Sequence, residues 1–289
     1  MIKTHCITFV LFSVIFLTIF SSSSYSQNVP ESSNSNRTSV ATVSGPESGS
    51  ITVIDMVGDI DCSNKLHEQI KKDNPTYFVA LGDLCYESDL TKFKGAFGDL
   101  EKEGELACLI GNHDAEEDAN IKIFKEAQAF CDDHWYIKVA KGTTLLIGLD
   151  TNGDMKAQIS WAQSLVTNST LIDGVKNVIL LSHKPAHTPP KSHHPVEAPV
   201  LEMYTAIESK IPNGLNVYEI AGHNHFMAQS KDGKWLISGA GGRSHYEGES
   251  DAVWPFFNNV DYGYLQLKID NNDGKVTTNF YGLDGKLIH

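Results

Sequence analysis

The sequence predicts an α/β domain built in layers, with a mainly antiparallel C-terminal third. Two observations carry this reading. Up to about residue 215, short apolar β-branched runs alternate with longer mixed segments of helical period, the order that places helices on both faces of a largely parallel sheet. Beyond it, strand-like runs follow one another across glycine-containing turns. A third observation concerns function: five of the apolar runs break, at their C-terminal ends, into short polar clusters, four of them opening with a glycine.

Taken in order, the chain of 289 residues opens with a targeting segment. Lys3 supplies positive charge, and Ile7–Phe20 is apolar apart from Ser13 and two threonines, too short for the roughly 20 residues of a membrane span. Ser24-Tyr25-Ser26 fits a small-x-small cleavage site. Residues 1–26 are therefore read as a secretory signal, with an uncleaved anchor as the alternative, and the protein as secreted or extracytoplasmic. Residues 27–50, rich in Ser and Asn, read as a flexible linker, and 51–289 as a single domain. Asn36-Arg37-Thr38 and Asn168-Ser169-Thr170 are glycosylation sequons.

Strands are expected at 51–57, 77–81, 106–110, 144–149 and 177–182, and helices at 62–72, 117–130, 155–168 and 198–209. Further strands are expected at 216–221, 234–238, 262–269 and 275–281. Lys231-Asp232-Gly233 and Asn272-Asp273-Gly274 are the turn signals between them.

Net charge is −13 and no basic run exists, which argues against nucleic acid or an anionic membrane surface as partner. Past the signal, Cys62, Cys85, Cys108 and Cys131 remain, an even number that permits three disulfide pairings outside the cytoplasm. Cys62 and Cys85 each follow a predicted strand and are candidates to pair. Cys108 lies in an apolar run and reads as a buried thiol.

The polar strand endings are Val57-Gly58-Asp59, Leu81-Gly82-Asp83, Ile110-Gly111-Asn112-His113-Asp114, Leu181-Ser182-His183 and Ala221-Gly222-His223-Asn224-His225. Carboxyl ends of strands in α/β sheets converge on one edge, where ligands bind. Carboxylate oxygen and imidazole nitrogen suit zinc, manganese and iron. The donors are too many for one tetrahedral ion and suit two ions sharing a carboxylate, the usual clamp for in-line attack at phosphorus.

These motifs resemble the calcineurin-type metallophosphoesterases, and within them the purple acid phosphatases, over about residues 51–285. Gly82-Asp83-Leu84-Cys85-Tyr86 resembles the GDxxY motif, Gly111-Asn112-His113-Asp114 the following one, and Gly222-His223-Asn224-His225 the GHxH motif. Ser238-Gly239-Ala240-Gly241 resembles a loop of the small, single-domain members. The resemblance implies a four-layer α/β/β/α sandwich. It implies Asp59, Tyr86 and His225 on Fe(III), Asn112, His183 and His223 on a divalent ion (Zn, Mn or Fe), and Asp83 bridging both. One departure stands out. The first motif is Asp59-Ile60-Asp61, where the family has glycine or histidine at the third position. Asp61 is read as a cap of the following helix, with an extra carboxylate on the first metal as the alternative.

The implied activity is phosphomonoester hydrolysis on small phosphate esters, by in-line attack of a metal-bound hydroxide. His113 is the candidate general acid and Asp114 the group that orients it. His193 and His194, in a Pro-rich loop past His183, are candidate substrate contacts. Arg243 and His245 are read as surface residues, with substrate contact as the alternative. Trp135-Tyr136 and Trp254-Pro255-Phe256-Phe257 read as core or rim packing. A phosphodiesterase or nucleotidase on the same metals is the competing enzyme reading. A non-catalytic metal- or phosphate-binding surface protein is the reading outside enzymes. The oligomeric state and the substrate are left open.

Overall fold

The computed structural model describes residues 39–40, 49–63, 65–86, 91–103, 105–115, 131 and 134–289. The expected signal, most of the linker, the Asn36 sequon and the helix expected at 117–130 lie outside the described residues. Among the described residues no helix is long and apolar enough to cross a membrane.

Two sheets form the centre. The smaller runs β13-β12-β2-β3-β4, from Val276–Gly282, Gly263–Asp270, Ile51–Val57, Tyr77–Ala80 and Leu106–Cys108. The larger runs β1-β5-β6-β7-β8-β10-β9-β11, from Ser39–Val40, Trp135–Val139, Thr144–Leu149, Asn177–Ser182, Asn216–Ala221, Trp235–Ser238, Met227–Gln229 and Phe256–Asn258. Strands β2, β3 and β4 are parallel, as are β6, β7 and β8. The C-terminal strands pair antiparallel, except that β10 runs parallel to β8.

The sheets face each other across one core, in which Ile54, Met56, Val79 and Leu267 meet Ile137, Leu146, Ile179 and Ile220. The outer face of the smaller sheet buries Phe78 and Ala80 against helix α1 (Leu66–Asp73) and helix α2 (Thr91–Glu103), through Leu66, Ile70, Phe93 and Phe97. The outer face of the larger sheet buries Ile147, Val178 and Leu180 against α4 (Met155–Thr167) and α5 (Ala198–Glu208), through Ala162, Val166, Val200 and Met203. A short helix α3 spans Asn112–Ala115. The order helix, sheet, sheet, helix is the four-layer sandwich the resemblance implies.

Helix α2 and strands β5, β9 and β11 are among the described elements that are not in the sequence reading. Helix α2 carries Gly95 and Gly98, which weaken the helical signal, although Phe93, Phe97 and Leu100 keep the apolar spacing. Strand β5 begins with Trp135 and Tyr136 and alternates buried and half-buried residues. Strands β9 and β11 have three residues each, too few to show a period.

Both cysteine pairs are disulfides: Cys62–Cys85 and Cys108–Cys131, with Cα atoms 5.2 and 4.5 Å apart. Cys108 is thus buried but not a free thiol. Apolarity of its strand reports burial equally for a thiol and a cystine, and its partner Cys131 is equally buried.

Candidate metal centre

The parallel strands of the two sheets end on the same side, and the five polar strand endings meet there. Asp59 follows β2, Asp83 follows β3, Asn112 follows β4, His183 follows β7 and His223 follows β8. Four of the converging residues have left-handed backbones: Asp59 (φ 58°), Asp83 (φ 55°), Tyr86 (φ 50°) and His223 (φ 67°). Side chains with a Cβ rarely adopt this region, and such strain gathers at functional sites. Glycine is required at 111 for a different reason: a Cβ there would overlap the Asp83 carboxylate.

The donors form two groups. In one, the Tyr86 hydroxyl lies 3.1 Å from Asp59 Oδ1 and 3.0 Å from His225 Nε2, and His225 Nε2 lies 3.3 Å from Asp59 Oδ1. In the other, His183 Nε2 lies 3.0 Å from Asn112 Oδ1 and 3.2 Å from His223 Nδ1. Asp83 Oδ1 stands 3.4 Å from His183 Nε2. One ligand atom each from Asp59, Asp83 and His183 falls within a mutual 4.8 Å. Asp59 also accepts the His223 N–H through Oδ2 at 2.7 Å, tying the groups together.

The proton positions follow from the outer bonds. His183 Nδ1 donates to the Leu81 carbonyl at 2.8 Å, and His225 Nδ1 to the Ser244 carbonyl at 2.8 Å. Each imidazole therefore turns Nε2 inward, His183 toward Asn112 Oδ1 and Asp83 Oδ1 and His225 toward Asp59 Oδ1 and the Tyr86 hydroxyl. Positive charge between these atoms, from a proton or a metal ion, relieves their repulsion. The donor set, oxygen and nitrogen with backbone carbonyls fixing the tautomers, fits a pair of borderline metal ions.

Titration of the site reflects the same crowding. Burial and the Asp59 and Asp83 carboxylates push the Tyr86 phenol far up. Burial, with His183 beside it, holds His223 far below the usual imidazole range. For His183 burial also pulls down, but the carboxylates of Asp83 and Asp59 outweigh it and hold it high. Burial and Asp83 raise Asp114 to about 6, against the opposing pull of its backbone hydrogen bonds.

The profile of the calcineurin-like phosphoesterase family matches residues 53–227. The chain belongs to this family. Two solved structures share its fold. GAP50, the anchor in the inner membrane complex of Plasmodium, is 17% identical with a TM-score of 0.59, over 83% of this chain and 88% of that one. Purple acid phosphatase PPD1 from yellow lupin (Lupinus luteus) seeds is 13% identical with a TM-score of 0.62, over 82% of this chain. This chain spans about half of the lupin enzyme, 52% of its length. No curated protein matches the sequence.

Around this phosphoesterase centre lie the other candidates. His113 is exposed, its ring centroid 4.8 Å from that of Tyr86, and its N–H donates to Asp83 Oδ1 at 3.0 Å. Asp114 does not face the His113 ring. Its carboxylate accepts the backbone N–H groups of Asp83, Leu84 and Gly111. Its position inside a ligand motif suggested a partner for the neighbouring imidazole, but burial directs it to amides that have no other acceptor. Asp61 Oδ1 accepts from the Ser63 N–H and hydroxyl, a local turn. It is not a helix cap, since α1 starts at Leu66 and its N-cap, Lys65, makes no side-chain cap bond.

The Pro-rich loop after β7 reaches the centre. The His194 ring stacks on His223 at 4.0 Å, and the His193 ring on Tyr246 at 4.2 Å. Tyr246 in turn stacks on His225 at 3.8 Å. Asn224 clamps the loop: its Oδ1 accepts the His194 N–H and its Nδ2 donates to the His194 carbonyl and Thr188. Asn224 and Tyr246 have no role in the sequence reading. Asn224 was visible inside the GHxH motif, whereas nothing local marks Tyr246.

Proposed function

We propose that the protein is an exported, dinuclear-metal phosphomonoesterase of the purple acid phosphatase type, acting on small phosphate esters. One observation carries this reading: two donor groups, Asp59/Tyr86/His225 and Asn112/His183/His223, converge with Asp83 between them. The first group would hold Fe(III), with Tyr86 supplying the phenolate. The second would hold a divalent ion, Zn, Mn or Fe. When bound, such ions polarise phosphoryl oxygens and lower the pKa of water.

The remaining chemistry falls to the chain's own residues. His113, exposed at the rim, gives a proton to the leaving alcohol oxygen. His193 and His194 orient the phosphate from the loop above. Asp114 positions Asp83 through the backbone. The N-terminal signal carries the protein across a membrane, and residues 27–50 tether the domain of residues 51–289.

The test is hydrolysis of a chromogenic phosphomonoester and its bis-ester by the metal-loaded protein, between about pH 4 and 9. A monoester preference lost in His183→Ala supports the reading. A bis-ester preference replaces the substrate class. Loaded protein that hydrolyses neither turns the reading toward binding.

A further inference from the structure

The mouth of the centre carries a cation that the phosphomonoesterase reading does not use. The Arg243 guanidinium carbon lies over the Tyr86 ring, 4.1 Å from its centroid. Arginine is scarce in this acidic chain, which has only Arg37 and Arg243 at a net charge of −13. The side chain is exposed. Two lysines of the facing loop are occupied, Lys184 with Glu197 at 2.8 Å and Lys191 with Glu249 at 2.7 Å. Arg243 has no carboxylate partner among the described residues.

Its backbone is held on both sides. Before it, Gly241 donates to the Gly58 carbonyl at 3.2 Å and accepts from the Asp61 N–H at 3.1 Å, and Gly242 bridges to Ile60. Gly241 packs so closely on Gly58 that a Cβ would overlap the Gly58 carbonyl. After it, the Ser244 carbonyl holds His225 and the Tyr246 N–H bonds to the His225 carbonyl at 3.3 Å. The strands of the first and last motifs thus fix where the guanidinium starts, and Tyr86 fixes where it ends. A cation prepared this way loses little freedom when it binds an anion.

Geometry separates it from the reacting centre. Asp59 and His225 meet the hydroxyl edge of Tyr86, whereas the guanidinium covers the face of the ring. We infer that Arg243 forms a subsite for a second anionic group, the phosphate next to the reacting one in a diphosphate ester. This rests on the hydrolase reading and names its substrate class. The planar guanidinium matches two phosphate oxygens at once while its face stays on the ring. In the reaction, the oxygen of water bonds to the terminal phosphorus as the bridging P–O bond breaks. The inner phosphate leaves with that electron pair, next to Arg243, the proton lost by the water passes to solvent, and inorganic phosphate is the other product.

The experiment compares ADP with AMP, which differ by one phosphate, on the metal-loaded full-length protein and its Arg243→Ala and Arg243→Lys variants. The ratio of kcat/KM for ADP over AMP is expected to fall about tenfold in Arg243→Ala, through KM, and less in Arg243→Lys. An unchanged ratio overturns the inference and leaves Arg243 as a support for Tyr86. If neither nucleotide turns over, the hydrolase reading loses support, and calorimetry still decides Arg243. A preference for ADP over AMP lost in Arg243→Ala upholds the subsite. Equal affinities in the unsubstituted protein overturn it.

Discussion

Asp114 accepts the backbone N–H of Asp83 at 2.8 Å, across 31 residues of sequence, and the same carboxylate also accepts from Leu84 and Gly111. One buried side chain thereby sets the backbone of two strand endings. Asp114→Ala would leave three N–H groups without their acceptor, at about 1–3 kcal/mol for each that stays buried. We expect a loss of at least about 3 kcal/mol in urea unfolding and reduced metal content. Asp114→Asn keeps one acceptor oxygen and should fall between. Full metal content and activity in Asp114→Ala would show that Asp83 holds its place without the clamp.

Asn224 holds His194 by both backbone groups, at 3.1 and 2.9 Å. If His194 orients substrate, Asn224→Ala should raise KM for a chromogenic monoester about tenfold with a smaller change in kcat, the mark of lost uniform binding. A fall in kcat at constant KM would instead place the loop's contribution in the transition state.

Asp55 is buried in β2, with Oδ1 bonded to Gln266 and Oδ2 unpartnered. Burial raises its pKa to about 7, partly opposed by the Gln266 hydrogen bond. The folded state therefore keeps a proton that the unfolded chain releases near 3.8. The stability this contributes is complete below 3.8 and is lost as pH rises to about 7. Asp55→Asn does not ionise. Its stability relative to the parent should rise from pH 5 to pH 8 by a few kcal/mol, about 1.4 per unit of the window crossed. A difference that is flat across this range in urea titrations would show that Asp55 ionises normally.

Gly95 and Gly98 lie within α2 with ordinary helical handedness, and a Cβ at either would meet nothing within 4 Å. Alanine at each should stabilise the protein by about 0.5–1 kcal/mol, through a less flexible unfolded chain and better helix propensity. Thermal unfolding of the single and double variants reads this. A destabilised variant would show that a Cβ at these positions meets atoms of the chain itself.

The layers and the donor types of the site are legible in the order of residues alone. Strands β3, β4 and β7, which end in ligands, are apolar runs buried on both faces, and β2 and β8 are buried toward the ends that carry the ligands. The motif residues sit next to glycines that allow the chain to turn at those ends, so donor types and order were legible locally. Helix α2 was hidden by its two glycines, and β5, β9 and β11 by brevity or by a start in aromatic residues. Tertiary structure alone decided what the remaining polar groups do. Asp114 faces amides rather than His113, because two of those amides, Asp83 and Leu84, come from a strand ending about 30 residues away. Cys108 pairs with Cys131 because folding brings their Cα atoms to 4.5 Å. Tyr246, His194 and Arg243 reach the centre from two loops whose residues carry no local period. Their places depend on bonds to Asn224, Gly58 and His225, and such long-range contacts leave no trace in neighbouring residues.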